Sequence, residues 1–175
     1  MENTTTLIAY FSRKGENYIN GSFVNLSIGN TATAANIIKS LTNGDIFEIE
    51  PVNKYSESYY PCTKEAKDEL NKNARPELVT YINNIEVYDC VILGYPNWWG
   101  TMPMPVFTFL EKYDFSGKTI IPFCTHEGSG MGRSVKDIQK TCPQAHILKG
   151  LPIRGSDAKN AGKEIQEWLK GLDIL

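Results

Sequence analysis

Short apolar runs alternate with helix-like stretches along the 175 residues of the chain. Several of these runs are almost wholly apolar, as expected of strands that are covered on both faces. Apolar strands that alternate with helices predict an α/β fold built on a parallel sheet. The predicted strands span residues 7–11, 46–49, 90–94, 119–124 and 145–151.

Helical patterns occupy the segments between these runs. The first helix is predicted over residues 30–42, because Asn43-Gly44 is a pair suited to a helix end. A second helix is predicted from Pro61, and a third with Pro105 at its first position, where a missing N–H is tolerated. The last helix carries one apolar stripe at helical spacing, which assigns Trp168 to the core: Ile165, Trp168, Leu169 and Leu172.

The length, net charge and cysteine spacing of the chain limit the classes of protein to which it can belong. A chain of this size can bury one core, so we expect one domain over residues 1–175. A net charge of −2 provides no basic field, so neither nucleic acid nor a membrane is an expected partner. The start Met1-Glu2-Asn3 carries no export signal, which predicts a cytoplasmic protein. The four cysteines lack metal-site spacing, so no metal is predicted.

Three loops are expected at one edge of the sheet, because parallel strands all end at the same edge. The first follows the first strand at Ser12 and ends in Gly29-Asn30-Thr31-Ala32-Thr33 at a helix start. The backbone N–H groups and dipole of that helix, with the hydroxyls of Ser12, Thr31 and Thr33, predict a phosphate cradle. A plain helix N-cap by Asn30 or Thr31 is the alternative.

The other two loops favour a flat ligand. Pro96-Asn97-Trp98-Trp99-Gly100 places two adjacent indoles after the third strand, which indicates a bound planar ring, or else aromatic caps on the core. Thr125-His126-Glu127-Gly128-Ser129-Gly130 has glycines that let backbone approach a ligand, or that form a flexible turn. Together the three loops predict a ligand with a phosphate tail and a flat polar ring, and FMN has both.

These residues resemble the flavodoxin family, in its short-chain form, over nearly the whole chain. The similarity lies in Ala9-Tyr10-Phe11-Ser12 leading to Gly29-Asn30-Thr31, and in the two later loops. It implies a flavodoxin-like three-layer sandwich with a five-stranded parallel sheet of order 2-1-3-4-5, helices on both faces, and one FMN-binding domain. The residues that it implies bind FMN are Ser12, Asn30, Thr31, Ala32, Thr33, Pro96, Asn97, Trp98, Trp99, Gly100, Thr125, His126, Glu127, Gly128 and Ser129.

The first loop departs from the family pattern. Family members place the phosphate-binding run directly after the first strand, whereas here the fifteen residues 14–28 intervene. Either Gly29-Asn30-Thr31 supplies the cradle after an excursion, or Gly15-Glu16-Asn17 takes part of that role. The first register is preferred because it immediately precedes the best helical pattern. The excursion itself could cover the phosphate, mediate dimerisation or shape a substrate pocket.

Individual roles stay open at this stage. Trp98 or Trp99 is expected to stack on the flavin, and Glu127 either accepts a hydrogen bond from the ring imide or lies in solvent. His126 is close to the site but has no evident acid–base partner, and no catalytic residue is assigned.

Two redox functions fit this pattern. One is an electron carrier between redox partner proteins, and the other is an NAD(P)H-dependent FMN reductase acting on quinones or similar small-molecule acceptors. The weak net charge argues against a strongly acidic docking protein, although acidic residues could still cluster locally. A receiver-like regulator is disfavoured, because Ser12-Arg13-Lys14 stands where that class needs acidic residues.

Overall fold

This computed structural model describes residues 5–175 of the chain. These residues form a mostly parallel sheet with helices. Residues 1–4, on which the expectation of no export signal rests, lie outside the described residues. The strands are β1 (Thr6–Tyr10), β2 (Gly15–Ile19), β3 (Ser22–Leu26), β4 (Asp45–Glu48), β5 (Cys90–Pro96), β6 (Thr119–His126), β7 (His146–Ile147) and β8 (Leu151–Arg154). The α-helices are α1 (Asn30–Thr42), α2 (Tyr59–Lys72), α3 (Met104–Lys112), α4 (Ser134–Thr141) and α5 (Gly162–Gly171).

The strand order confirms the predicted flavodoxin-like topology. The sheet runs β4-β1-β5-β6, and both β7 and β8 pair with the outer side of β6. All of these pairings are parallel. The chain moves outward from β1 to β4 and then returns to β5 on the other side of β1. The order therefore reverses between β1 and β5, which is where open α/β sheets bind ligands.

The fifth strand position differs from the prediction of one strand over residues 145–151. Two short strands occupy it, and the pairing with β6 is interrupted near Pro122. The N–H of Leu148 bonds to the carbonyl of Ile120, so this side of β6 faces the fifth position. Pro122 faces the same side two residues later and has no N–H to donate. The gap in the ladder follows from that missing donor.

Apolar side chains fill both faces of the sheet. Successive residues of a strand point to opposite faces, so Leu93 packs with α3 and α4 while Ile92 packs with α1 and α5. Trp168 packs against the second of these clusters, as predicted, and its indole N–H donates to the carbonyl of Lys149 at 2.9 Å. Helix boundaries differ slightly from expectation: α2 begins two residues before Pro61, and Pro105 is the second residue of α3.

The excursion at residues 14–28 forms an antiparallel hairpin, β2–β3, separate from the main sheet. Its turn residues Asn20 and Gly21 have φ angles of 49° and 83°, the left-handed pair that two-residue hairpin turns require. β2 packs against α2. Within residues 5–175, no helix has the length and apolar character needed to cross a membrane.

Candidate functional site

A cleft of about 670 Å³ opens at the carboxyl ends of β5 and β6, bounded by the starts of α1 and α2 and by the hairpin. A neighbouring cavity of about 460 Å³ lies towards β4, and Ser12 and Ala32 line it. Thr31, Thr33, Gly100 and Gly128 line neither space. The predicted site residues that line the cleft are Asn30, Pro96, Asn97, Trp98, Trp99, Thr125, His126, Glu127 and Ser129.

The double-tryptophan loop is a tight turn closed by backbone hydrogen bonds. The N–H of Trp98 bonds to the carbonyl of Thr101 at 2.9 Å, and the reverse bond measures 3.2 Å. Trp99 and Gly100 both have positive φ, at 54° and 83°. Left-handed backbone is unusual for a bulky residue such as tryptophan and is typical of functional positions. The turn aims the Trp99 side chain at the cleft wall rather than at the core.

The two indoles have different surroundings. Trp98 is half-buried and makes edge-to-face contacts with Phe11 and Tyr55, at centroid distances of 5.2 and 4.9 Å. Trp99 is 48% exposed, and its indole N–H donates to the carbonyl of Thr63 on α2 at 2.9 Å. Trp98 therefore both caps the core and lines the cleft, whereas Trp99 lines the cleft with a partly exposed ring and has the Lys67 ammonium 4.7 Å from its centroid.

Asn97 joins the second and third loops. Its amide oxygen accepts the N–H of Gly100 at 3.0 Å, and its amide NH₂ donates to the carbonyl of Gly130 at 2.8 Å. The carbonyl of Gly100 in turn accepts the N–H of Arg133 at 2.8 Å. Both sides of Gly100 are thus hydrogen-bonded, and the two loops keep a fixed spacing.

The hydroxyls at the start of α1 are engaged within the protein. The N–H of Ala32 donates to Ser12 Oγ at 3.0 Å, so Ser12 caps the helix from outside it. Thr33 donates its hydroxyl to the carbonyl of Gly29, and Thr31 shares a buried 2.7 Å hydrogen bond with Thr125. These contacts link the loops after β1 and β6, and they leave Asn30 as the α1 residue that faces the cleft.

Glu127 contacts the tip of the hairpin. One carboxylate oxygen accepts the N–H of Asn20 at 3.2 Å and lies 4.0 Å from the guanidinium of Arg154. The other, Oε1, is buried and is the one such side-chain atom in residues 5–175 without a hydrogen-bond partner. A Cβ on Gly155 would lie 2.5 Å from this oxygen and from the Asn30 amide nitrogen. Glu127 therefore joins the hairpin to the floor of the cleft.

The imidazole of His126 accepts a hydrogen bond from within its own loop through an unprotonated ring nitrogen. Its Nδ1 accepts the N–H of Gly128 at 2.9 Å. Burial lowers the pKa of the imidazole below its usual value; the charge on Arg154 adds to this and that on Glu127 opposes it. The neutral imidazole thus holds the first turn of the glycine-rich loop.

Several cleft residues were not predicted from the sequence. They come from the segment after β1, from the hairpin, from the start of α2 and from the turn after β8: Arg13, Tyr18, Tyr59, Tyr60, Cys62 and Gly155. Asn17, which the sequence left open, also lines the cleft. The available signal was the Asn20-Gly21 pair, a strong hairpin indicator, which would have placed Tyr18 on a folded element beside the site.

Comparisons with known proteins are consistent with this architecture. A family model described as flavodoxin matches residues 6–172. Comparison with curated proteins gave no significant match.

Solved structures with the same fold cover nearly the whole chain. A candidate flavoprotein from Bacteroides eggerthii DSM 20697 is 29% identical, with a TM-score of 0.79 over 98% of this chain and 99% of that one. Another, from Bacteroides uniformis ATCC 8492, is 28% identical, with a TM-score of 0.75 over 95% and 98%. A Lactobacillus acidophilus NCFM flavoprotein in complex with FMN is 20% identical, with a TM-score of 0.65 over 94% and 98%.

Proposed function

The chain belongs to the flavodoxin family, and from this premise we propose that it is a redox protein that transfers electrons between redox partners. Its cofactor is FMN, as in other flavodoxins. The observation that carries the proposal is the cleft at the reversal of the strand order, with Trp98 and Trp99 along one side.

The residues present fit FMN. Trp98 and Trp99 supply aromatic surface for the flavin ring, and the loop of residues 125–129 supplies backbone groups next to it. Thr125 and Ser129 of this loop line the same cleft as the two indoles. We assign the phosphate to the start of α1 near Asn30, where the helix dipole is positive.

Two ionisable side chains of the cleft, Cys62 and Tyr59, keep their protons at neutral pH, which suits a protein that only transfers electrons. FMN supplies one- and two-electron chemistry when bound. Burial raises the pKa of the Cys62 thiol to about 11, so a thiolate does not form there at neutral pH. Burial also raises the pKa of the Tyr59 phenol, which keeps its proton and remains a hydrogen-bond donor. Neither Cys62 nor Tyr59 therefore supplies an anionic nucleophile to the cleft at neutral pH.

Titration of the purified protein with FMN and with riboflavin tests the proposal. Quenching of flavin fluorescence and a shift of the visible bands report binding. We expect FMN to bind at least about tenfold more tightly than riboflavin, because only FMN places a phosphate at the α1 start. Equal affinities would remove the phosphate assignment, and an absence of binding by both flavins would refute the proposed function.

A second candidate, an NAD(P)H-dependent FMN reductase for quinones or similar acceptors, is favoured by the charge around the cleft. Of the four residue types Asp, Glu, Lys and Arg, the cleft is lined by one of each sign, Arg13 and Glu127, so its mouth is not strongly acidic. A hydride from NAD(P)H and a proton from water would convert a quinone to its hydroquinone. Steady oxidation of NADPH by the FMN-loaded protein with a quinone favours this reductase, and its absence favours the carrier.

A further inference from the structure

Four aromatic rings form a wall at the mouth of the cleft. Tyr18 and Phe23 come from the hairpin, and Tyr59 and Tyr60 from the start of α2. Ring centroids of contacting pairs lie 5.3 to 6.0 Å apart, in edge-to-face or tilted geometry. Tyr18, Tyr59 and Tyr60 line the cleft, while Phe23 contacts all three. We call these four residues the aromatic wall.

The aromatic wall is more exposed than core packing requires. Tyr60 is 71% exposed, Phe23 46% and Tyr18 42%. Exposed aromatic clusters on a folded protein mark sites that contact a ligand or partner. Because three of these rings line the cleft itself, a ligand bound in the cleft would cover them.

The hairpin side of the aromatic wall is free of charge, whereas Arg13 and Glu127, which are of opposite sign, line the cleft beside it. Residues 17–38, which include all of β3 and most of β2, contain no Asp, Glu, Lys or Arg. Tyrosine hydroxyls are the polar groups that the wall offers, and they donate one hydrogen bond each. A surface with flat apolar faces and a few neutral donors is complementary to a flat, uncharged ring that carries carbonyl oxygens.

The hairpin is fixed in place before any ligand binds. The Arg13 guanidinium donates to the carbonyl of Ser56 at 2.9 Å and to that of Glu57 at 2.6 Å. The N–H of Glu16 bonds to the Glu57 carbonyl at 2.9 Å, and at the tip Asn20 is bonded to Glu127. Both ends of the hairpin are therefore tied to the body of the protein, and the aromatic wall is preorganised.

From these observations we infer that the aromatic wall is the binding subsite for the planar, uncharged aromatic ring of a small-molecule electron acceptor of the quinone class. This inference rests on the second candidate of the proposed function, the FMN reductase, and deepens it by locating the contacts of its acceptor. The insertion at residues 14–28 shapes a substrate pocket in this assignment.

Isothermal titration of the FMN-loaded protein with 2,3-dimethyl-1,4-naphthoquinone tests the subsite. The two methyl groups block addition of thiols to the ring, so the heat reports binding alone. We expect the Tyr18→Leu/Tyr60→Leu variant to bind about tenfold more weakly, because it keeps apolar bulk but loses two aromatic contacts. Tyr18→Phe/Tyr60→Phe should retain most of the affinity. Tyr81→Leu, an exposed tyrosine outside the cleft, is the matched control and should bind as wild type.

Binding that is equal in wild type and Tyr18→Leu/Tyr60→Leu would overturn the subsite, and so would an absence of binding to wild type. A naphthoquinone sulfonate that binds as tightly as the neutral ring would overturn the preference for an uncharged ligand. The FMN content of each protein is measured separately from its visible absorbance. Failure of wild type to hold FMN refutes the proposed function, whereas FMN-loaded wild type that does not bind the quinone overturns the subsite alone.

Discussion

His126 makes the stability of the folded protein depend on pH, because its imidazole accepts a hydrogen bond within the glycine-rich loop. Its lowered pKa in the folded protein lies below the value of 6.5 expected for the unfolded chain, so folding favours the neutral imidazole. Its contribution to stability is full above pH 6.5 and is lost as the pH falls through the folded pKa. We expect wild type to lose more free energy of unfolding between about pH 7.5 and about pH 5 than His126→Asn, whose amide oxygen still accepts from Gly128.

Urea denaturation at several pH values measures this difference. His146→Asn is the control, because His146 lies exposed on β7 away from the cleft. That variant should keep the wild-type free energy of unfolding at neutral pH. The same pH dependence in His126→Asn and wild type would remove the assigned role of the imidazole.

Gly29 is required where the two ends of the insertion touch. A Cβ at this position would lie 2.2 Å from Ser12 Oγ and 2.5 Å from the Arg13 carbonyl oxygen. Since a backbone carbonyl cannot move aside easily, we expect Gly29→Ala to lower the free energy of unfolding by about 1–3 kcal/mol. Chemical denaturation measures the loss. Gly171→Ala, where a Cβ meets nothing within 4 Å, should show no such loss.

The sequence predicted which loops line the cleft more accurately than it predicted the hydrogen bonds of individual side chains. The aromatic and glycine-rich loops were predicted from residue type alone, and much of each lines the cleft. The hydroxyls of Thr31 and Thr33 were predicted to contribute to a phosphate cradle; both bond within the protein, and their part in phosphate binding stays a prediction. A helix pattern does not specify which loop crosses its first turn, so that pairing could not be read from the sequence.

At the scale of secondary-structure elements, Arg13 attaches the hairpin to the segment before α2 through hydrogen bonds to the carbonyls of Ser56 and Glu57. An isolated two-stranded hairpin is marginally stable in water, so β2–β3 depends on its attachment to the segment before α2. We expect Arg13→Ala to speed amide hydrogen exchange in both hairpin strands by about tenfold or more, because hydrogen bonds from a charged group are lost. Exchange in β5 should stay at the wild-type rate.

Lys14→Ala is the matched control for this experiment, since Lys14 is the exposed neighbour of Arg13. Its hairpin strands should exchange at the wild-type rate. Unchanged exchange in Arg13→Ala would show that other contacts, such as the one between Asn20 and Glu127, hold the hairpin without the guanidinium.

Strands covered on both faces were the elements most accurately predicted. The apolar runs of β1, β5 and β6 are nearly continuous, and these strands differ from prediction by only a few residues. The edge strand β4, whose end residues are exposed, was also placed to within a residue at each end. The hairpin was missed because its outward strand β3 has mostly exposed side chains and no buried face to create a pattern. The break in the fifth strand was missed because it depends on Pro122 in a different strand.

At the scale of the whole molecule, FMN binding and folding are linked. A ligand that binds only the folded state stabilises it by about 2.7 kcal/mol at a hundred times its Kd. For a domain of this size we expect the Tm to rise by roughly 5–10 °C. Thermal unfolding with and without FMN measures the shift. Adenosine monophosphate carries a phosphate without a flavin ring and should give little shift; an equal effect would argue against recognition of the ring.

The contact between Gly29 and Ser12 also bears on how this architecture could change over generations. The two ends of the insertion lie next to each other in the structure, at Ser12–Arg13 and at Gly29. Its length and sequence can therefore vary while the strands of the sheet keep their register. The hairpin carries Tyr18 and Phe23, two of the four rings of the aromatic wall, whereas Tyr59 and Tyr60 belong to α2. A different hairpin between Ser12 and Gly29 would therefore exchange half of that wall without disturbing the strands or the turn that carries the tryptophans.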